Sequence, residues 1–397
     1  MTLVEMDAWS TTLPVQLSHS QAGEIASLDL VDVRAHGSGD RWTLAASSRI
    51  GVAVGNGWEL RVRPRLSVPK LFFLLAYAAD PKGWRDQIAE FEPAPDLLDA
   101  VANGFSWHAL VALKRGLLRG YVNIDERLTT IRGRVRFGDQ IARSASLPVP
   151  VEVSYSDYTE DVLENQMLRT ATLVLLGLRR VPIRARKRLL KLRGLLDAVG
   201  LVERPREARM PLLTRLNDRY GNSLRLAELI LHASSIDAAK GRLAVSAFIF
   251  DMNKVFEDFV TIALQEALRS YGGVVKAQWE GWLDRERHLE IRPDITWWEG
   301  TNCLAVADAK YKELRFKSMP NGDVYQMLAY CTALNVEHGF LVYAKDAGQH
   351  PQNHAVLNSP SMIEVRTLDV ETEPEQLLAQ VQVLAAEIVA SVSSKAA

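Results

Sequence analysis

The spacing of apolar residues changes twice along this chain, and no single simple architecture accommodates all three patterns. From residue 1 to about 68, short apolar-rich runs (Ile25 to Val33, Trp42 to Ala46, Ile50 to Val54, Trp58 to Val62) are separated by Gly37-Ser-Gly39 and Gly55-Asn-Gly57. Turn formers between short runs predict strands, and Leu60 and Val62 alternate with Arg61 and Arg63 as a half-buried strand requires. From 69 to 245 the spacing becomes i, i+3, i+4 in Leu71 to Ala79, Leu97 to Leu118, Glu164 to Leu178 and Arg184 to Val199, which predicts helices. An extended stretch, Val149 to Tyr155, interrupts them.

From 246 onward helix and strand patterns alternate. The expected order is a helix (Asn253 to Ser270) and three strands (Val274 to Trp279, Leu289 to Trp298, Cys303 to Tyr311). A helix (Val324 to Leu334), two strands (Gly339 to Ala344, Met362 to Leu368) and a last helix from Glu373 follow. The fold class is therefore α+β and multidomain: a β-rich N-terminal module (1–68), a mainly helical middle (69–245) and a C-terminal α/β domain (246–397).

Composition narrows the function classes. The 397 residues are 48% hydrophobic and 24% charged, which excludes a disordered or fibrous chain. The longest nearly unbroken apolar run, Leu71 to Ala79, falls short of the ~20 residues of a membrane helix. Two cysteines 28 positions apart make neither a CxxC motif nor a disulfide framework, and a reducing cytoplasm is the expected location. The net charge of −1 conceals a segregation. Residues 69–245 hold 28 basic and 20 acidic side chains, net +8, whereas 246–397 hold 13 and 21, net −8. The basic middle is densest where Arg184, Arg186, Lys187 and Arg188 crowd one helix and where Arg132, Arg134 and Arg136 alternate as if along one strand face. Both sets read either as solvated faces or as surfaces for DNA phosphate or an acidic partner. Arg61, Arg63 and Arg65 share a strand face in the same way and are a further candidate surface for a partner.

No GxxxxGK[ST] phosphate loop and no HExxH metal motif is present, and Pro351 between His350 and His354 breaks any helical metal face there. The chemistry-bearing pattern lies in the last section. Pro293-Asp294 sits within one expected strand, and Asp308 and Lys310 sit two apart on the next, so that these two side chains share a face. The 14 positions between Asp294 and Asp308 suit a hairpin that brings the two carboxylates together. Such a pair repels itself unless a cation lies between, and oxygen ligands suit Mg²⁺ or Mn²⁺. Lys310 beside it would orient a water or offset phosphate charge. Gln326 and Tyr330 share one helix face. Glu257 reads either as a further metal carboxylate or as a first-turn acid favoured by the helix dipole, with Asp258 as the alternative ligand. Lys312 reads as a phosphate contact or as solvation of a strand end.

Pro293-Asp294, Asp308-Ala-Lys310 and Gln326xxxTyr330, preceded by helical Glu257, resemble the PD-(D/E)xK nuclease core with its QxxxY helix. Ala307 to Lys312 and Tyr325 to Tyr330 are similar to the McrC family, the nuclease subunits of McrBC methylation-dependent restriction systems. Tyr158 to Asn165 and Leu60 to Leu66 leading to Tyr77 resemble the same family, with Pro64-Arg65 where it often has Pro-Lys. The resemblance implies a Mg²⁺-dependent DNA endonuclease. Its catalytic residues would be Asp294, Asp308, Lys310, Glu257, Gln326 and Tyr330, with Asp294, Asp308 and Glu257 holding metal. It also implies a McrB-like AAA+ GTPase ring as partner, GTP bound only by that partner, and double-stranded DNA carrying modified cytosine as substrate. A stand-alone RecB-type repair nuclease and a non-catalytic scaffold activating the GTPase are the alternatives.

Overall fold

A computed structural model describes residues 2–37, 39–82, 84–85, 97–143, 149–178, 181–237, 244–311, 321–345 and 351–393. The chain forms two compact units, one made of residues 1–97 with 249–397 and the other of residues 98–248. This grouping differs from the three consecutive parts read from the sequence. The reason lies in the aromatic packing of the first unit, where residues about 180 positions apart share one core.

The first unit begins with strands β1 (Thr2–Asp7) and β2 (Val15–Gln16), helix α1 (His19–Ser27), and strands β3 (Val31–Ala35), β4 (Arg41–Ala46), β5 (Arg49–Gly55) and β6 (Trp58–Arg63), followed by helix α2 (Val68–Ala79). β6 runs parallel to β1 and antiparallel to β5, and β4 lies between β2 and β3. The run Ile25 to Val33, expected as extended, is corrected here: Ile25 to Ser27 close α1 and only Val31 onward is strand. A capping box decides this, because Ser18 Oγ accepts from the Gln21 N–H (3.2 Å) and Gln21 Oε1 accepts from the Ser18 N–H (3.0 Å).

The second unit carries helix α3 (Leu97–Ala112), strands β7 (Gly120–Leu128) and β8 (Arg134–Val135), helix α4 (Phe137–Arg143), β9 (Val151–Thr159), helices α5 (Leu163–Gly177), α6 (Ile183–Leu195) and α7 (Gly221–Ala233), and β10 (Ser234–Asp237), whose antiparallel partner β11 (Ala244–Asp251) runs on into the first unit. It is less uniformly helical than expected, since β7, β9 and β8 form a three-stranded sheet. Within the stretch Tyr158 to Asn165, the fully buried Asn165 amide donates to the Leu118 (2.8 Å) and Glu160 (2.7 Å) carbonyls and accepts from the Tyr220 hydroxyl (3.1 Å). That motif is thus a structural knot that ties α5 to the chain on either side.

The first unit resumes with α8 (Met252–Leu268), β12 (Val274–Ala277), the short β13 (Gly281–Trp282) and β14 (Glu290–Ile291), β15 (Ile295–Glu299), β16 (Asn302–Lys310), α9 (Asn321–Leu334), β17 (His338–Ala344), β18 (Gln352–Ala355), β19 (Met362–Leu368) and α10 (Pro374–Ser393). A six-stranded mixed sheet has the order β12-β15-β16-β17-β19-β18. β16, β17 and β19 are parallel, and β12, β15 and β18 are antiparallel to their neighbours. β18 adds a strand that the sequence did not signal.

α8 packs beneath α2, with Phe259 edge-on to Phe73 (5.6 Å) and Tyr77 (5.5 Å). Just past the end of β16, Tyr311 meets Phe256 of α8, while Val306 of β16 joins Met327, Tyr330 and Cys331 of α9 in the core on the other face. Gly339 is required there, since a Cβ would lie 2.6 Å from Cys331 Sγ and Met327 Sδ. Among the described residues one stretch, Pro374–Val392 of α10, is long and apolar enough by length and composition to cross a membrane. Its stripe Leu377, Val381, Leu384, Ala385 and Ile388 is buried within the first unit, as in a core helix.

Candidate active site

Asp294 sits just ahead of β15 rather than inside a continuous strand. The expected strand Leu289 to Trp298 is split at Arg292-Pro293-Asp294, because Pro293 has no N–H to continue a ladder. The register survives the break. Ile295 pairs with Ala307, and one step further the antiparallel count sets Asp294 across from Asp308. Asp294 Oδ2 accepts from the Ala309 N–H (3.0 Å).

Asp308 is 2% exposed, and Lys310, two residues on along the same strand face, forms an ion pair with its Oδ2. That oxygen is buried and takes no hydrogen bond of good geometry. Burial pushes the Asp294 carboxyl up to about 8, with repulsion from Asp308 and Glu257 adding to the rise and the Ala309 N–H and Lys310 opposing it. Burial likewise raises Asp308, although Lys310 works against the rise. For Lys310 burial favours the neutral amine, but Asp308, Asp294 and Asp323 outweigh it and raise its pKa, so it is a cation at neutral pH.

Gln326 and Tyr330 do share a face of α9, and they meet. Gln326 Nε2 donates to the Tyr330 hydroxyl (2.7 Å), which donates to the Arg292 carbonyl (3.2 Å). Their observed contact is therefore with the segment that carries Asp294. Burial and the nearby carboxylates hold the Tyr330 phenol up at about 12.

Glu257 is brought near but not into the pair. α8 covers the opposite face of β16, and Glu257 approaches around the end of β12, where it accepts from Gln278 Nε2 (2.5 Å) and Lys254 Nζ (3.4 Å). Asp258 pairs with Lys254 instead (2.6 Å). Among the described residues no three His, Cys, Asp or Glu side chains converge as a ready metal cage.

Three residues of this neighbourhood carried no sequence signal. Gln278, held at φ 45°, donates its N–H to the Asp294 carbonyl (2.8 Å), its amide to Glu257, and accepts from Arg292 (2.8 Å). Asp323, buried one turn before Gln326, accepts from the Tyr343 hydroxyl (2.8 Å), and Tyr343 pairs in register with Lys310. Only the i, i+3 and i, i+7 spacing from Asp323 to Gln326 and Tyr330 could have singled out the aspartate.

Lys312 lies outside the described residues. The Arg132, Arg134 and Arg136 stripe is corrected: the strand there is two residues long, and Arg132 and Arg136 flank it. Arg132 pairs with Asp157 (2.7 Å), and Arg136 with Asp125 (3.3 Å) and Asp139. Arg134 borders a hollow of about 730 Å³ shared with Phe137 and Ser154. Arg61 and Arg63 are likewise engaged within the chain, by Glu59 (2.8 Å) and Glu5 (3.1 Å). On α6, Arg186 reaches the Leu178 carbonyl (3.4 Å) and Arg188 lies over Trp107, while Arg184 and Lys187 point outward.

The chain resembles known proteins over most of its length. A structure of Thermococcus gammatolerans McrB AAA+ hexamers with bound McrC matches 96% of this chain and 100% of the matched chain at 18% identity, with a TM-score of 0.58. The cryo-EM structure of the Thermococcus gammatolerans McrBC complex matches 67% of this chain and 88% of that chain at 20% identity and a TM-score of 0.39. No curated protein matches. The model of the McrBC 5-methylcytosine restriction system component family spans residues 44–344, which takes in Asp294, Asp308, Lys310, Gln326 and Tyr330, and the chain belongs to that family.

Proposed function

We propose that this chain is the DNA-cleaving, McrC-like component of a modification-dependent restriction system, a Mg²⁺-dependent endonuclease that works with a McrB-like AAA+ GTPase. The observation that carries the reading is the register that sets Asp294 across from Asp308, with Lys310 on the same strand face. Two buried carboxylates, both raised by burial, one with a buried oxygen lacking a hydrogen bond, fit a hard divalent cation. Asp294 and Asp308 would hold Mg²⁺ (or Mn²⁺), with Glu257 the candidate third ligand. When bound, such a cation supplies Lewis-acid activation of water and of the phosphodiester.

The chain's own residues do the rest. Lys310, kept cationic by its neighbours, orients a water and offsets the negative charge that develops on the phosphate. Tyr330 and Gln326 fix the Arg292 carbonyl, and Gln278 fixes the Asp294 carbonyl, so the Asp294 carboxyl is held from both sides. The family's description and the fold shared with a complex of McrC on McrB hexamers support an AAA+ ring as partner and DNA carrying modified cytosine as substrate. GTP would be bound by that ring, since this sequence has no phosphate loop of the GxxxxGK[ST] kind.

The test is Asp308→Ala combined with Lys310→Ala, assayed with the partner, GTP, Mg²⁺ and methylated DNA. Cleavage should disappear while stimulation of the GTPase persists. Undiminished cleavage overturns the site. Loss of stimulation in a normally folded protein would show that this unit also signals to the ring.

A further inference from the structure

Two stretches of the second unit, 100–124 and 165–196, contain no acidic residue. They supply most of α3 with the single turn Leu113–Arg115 that follows it, and all of α6. On α6, Ala185, Leu189 and Leu192 are buried at i, i+4 and i+7. The other side is therefore turned outward, and Arg184, Lys187 and Lys191 are exposed on it. On α3, Trp107 is 51% exposed, and the Arg188 guanidinium lies 5.4 Å from its ring centre, joining the two helices into one face. Lys114 and Arg115 are exposed about two turns beyond Trp107.

The cations of this face differ from the other arginines of the same unit. Arg119, Arg132 and Arg136 each pair with an acid (Glu160, Asp157 and Asp125). Among the described residues, Lys114, Arg115, Arg184, Lys187 and Lys191 make no ion pair. Uncompensated like charges on one rigid helix repel one another, and a polyanion laid along them relieves that repulsion while releasing its own counterions. Arg184 to Lys191 spans about 10 Å of helix, comparable with the axial span of about three phosphates of a duplex strand at 3.4 Å each.

We propose that the α3–α6 face is a sequence-independent surface for the phosphate backbone of double-stranded DNA. The choice of DNA over an acidic protein rests on the nuclease reading above together with the regular cation spacing. The experiment separates the two readings. Full-length protein carrying Arg184→Ala, Lys187→Ala and Lys191→Ala is compared with wild type and with Arg184→Lys. Binding to an unmodified duplex is followed by fluorescence anisotropy, without Mg²⁺, from about 50 to 200 mM salt. Three lost phosphate contacts flatten the slope of log affinity against log salt by about 2.7, and Arg184→Lys keeps the wild-type slope.

An unchanged slope in a triple variant of normal melting temperature overturns the proposal. So does weaker binding to polyglutamate with unchanged binding to duplex, which would assign the face to an acidic protein. Hydrolysis of a small activated phosphodiester tests the nuclease centre separately. The triple variant retains any such hydrolysis, and a flattened slope in a protein that never hydrolyses the ester leaves the surface standing while the nuclease reading falls.

Discussion

The acidic centre of the first unit and the basic face of the second both crowd like charges, but burial makes them behave differently. Asp294, Asp308 and Lys310 are withdrawn from water, so each changes the protonation of the others and one ion pair governs the group. Arg184, Lys187 and Lys191 stand in solvent, where each charge is screened and acts nearly alone. The comparison teaches that charge count says little about role. A buried cluster is a precise and costly arrangement that one substitution ruins, whereas an exposed one is a sum that salt or several substitutions erode.

The largest effect should come from the buried side. Asp308→Ala alone should lower DNA cleavage about a thousandfold, and a loss under tenfold would break the contrast by showing that the centre tolerates damage as a surface does. Next comes Gln278→Ala, which leaves the carboxylates and the backbone N–H bond to the Asp294 carbonyl in place but frees Glu257 and Arg292 from the Gln278 amide. Cleavage should fall by about 10- to 100-fold with DNA affinity unchanged. An equal loss of affinity would mean that Gln278 contacts the substrate instead.

A third measurement uses pH. Asp294 titrates at about 8 in the folded chain and at about 3.9 when unfolded. Below about pH 4 both states carry the proton; as pH rises towards 8 the unfolded chain loses it first, so stability falls across that window. Metal-free protein should melt at progressively lower temperature from pH 5 to 8, less steeply for Asp294→Asn. Parallel curves would remove Asp294 from the argument. The smallest effect belongs to a paired surface arginine: Arg132→Ala breaks an exposed pair with Asp157 and should cost about 0.2–1 kcal/mol in chemical denaturation, with no change in the salt slope of DNA binding. A clear change in that slope would extend the DNA surface onto the β7–β9 sheet.

Much of the site was legible because its logic is local. Two-residue alternation placed Asp308 and Lys310 on one face, and i, i+4 spacing placed Gln326 beside Tyr330, without knowledge of the rest of the fold. The hairpin count from Asp294 to Asp308 also held, even though Pro293 broke the strand that was meant to carry it. The unread part depends on distant register. Tyr343 meets Asp323 only because β17 lies parallel to β16, and Gln278 becomes a hub only where β12 ends beside Asp294. Nothing in the sequence around these residues marks them. α1 was misread for the opposite reason: a two-residue capping box outweighed an apolar run that suited a strand. The arginine stripe of the middle section is not one strand face, because β8 keeps only Arg134 and Val135, and Asp157 and Asp125 from neighbouring strands engage Arg132 and Arg136.

The interrupted path of the first unit has a consequence for synthesis. Phe73 and Tyr77 find Phe259 only after the whole intervening unit has been made. At the usual pace of translation that is a delay of roughly 10 to 40 s. During it α2 must keep an aromatic face uncovered while residues 98–248 can already fold. The carboxylate centre therefore closes only after residues 98–248 have been made, and a nascent chain halted before α8 would carry the basic helices without it.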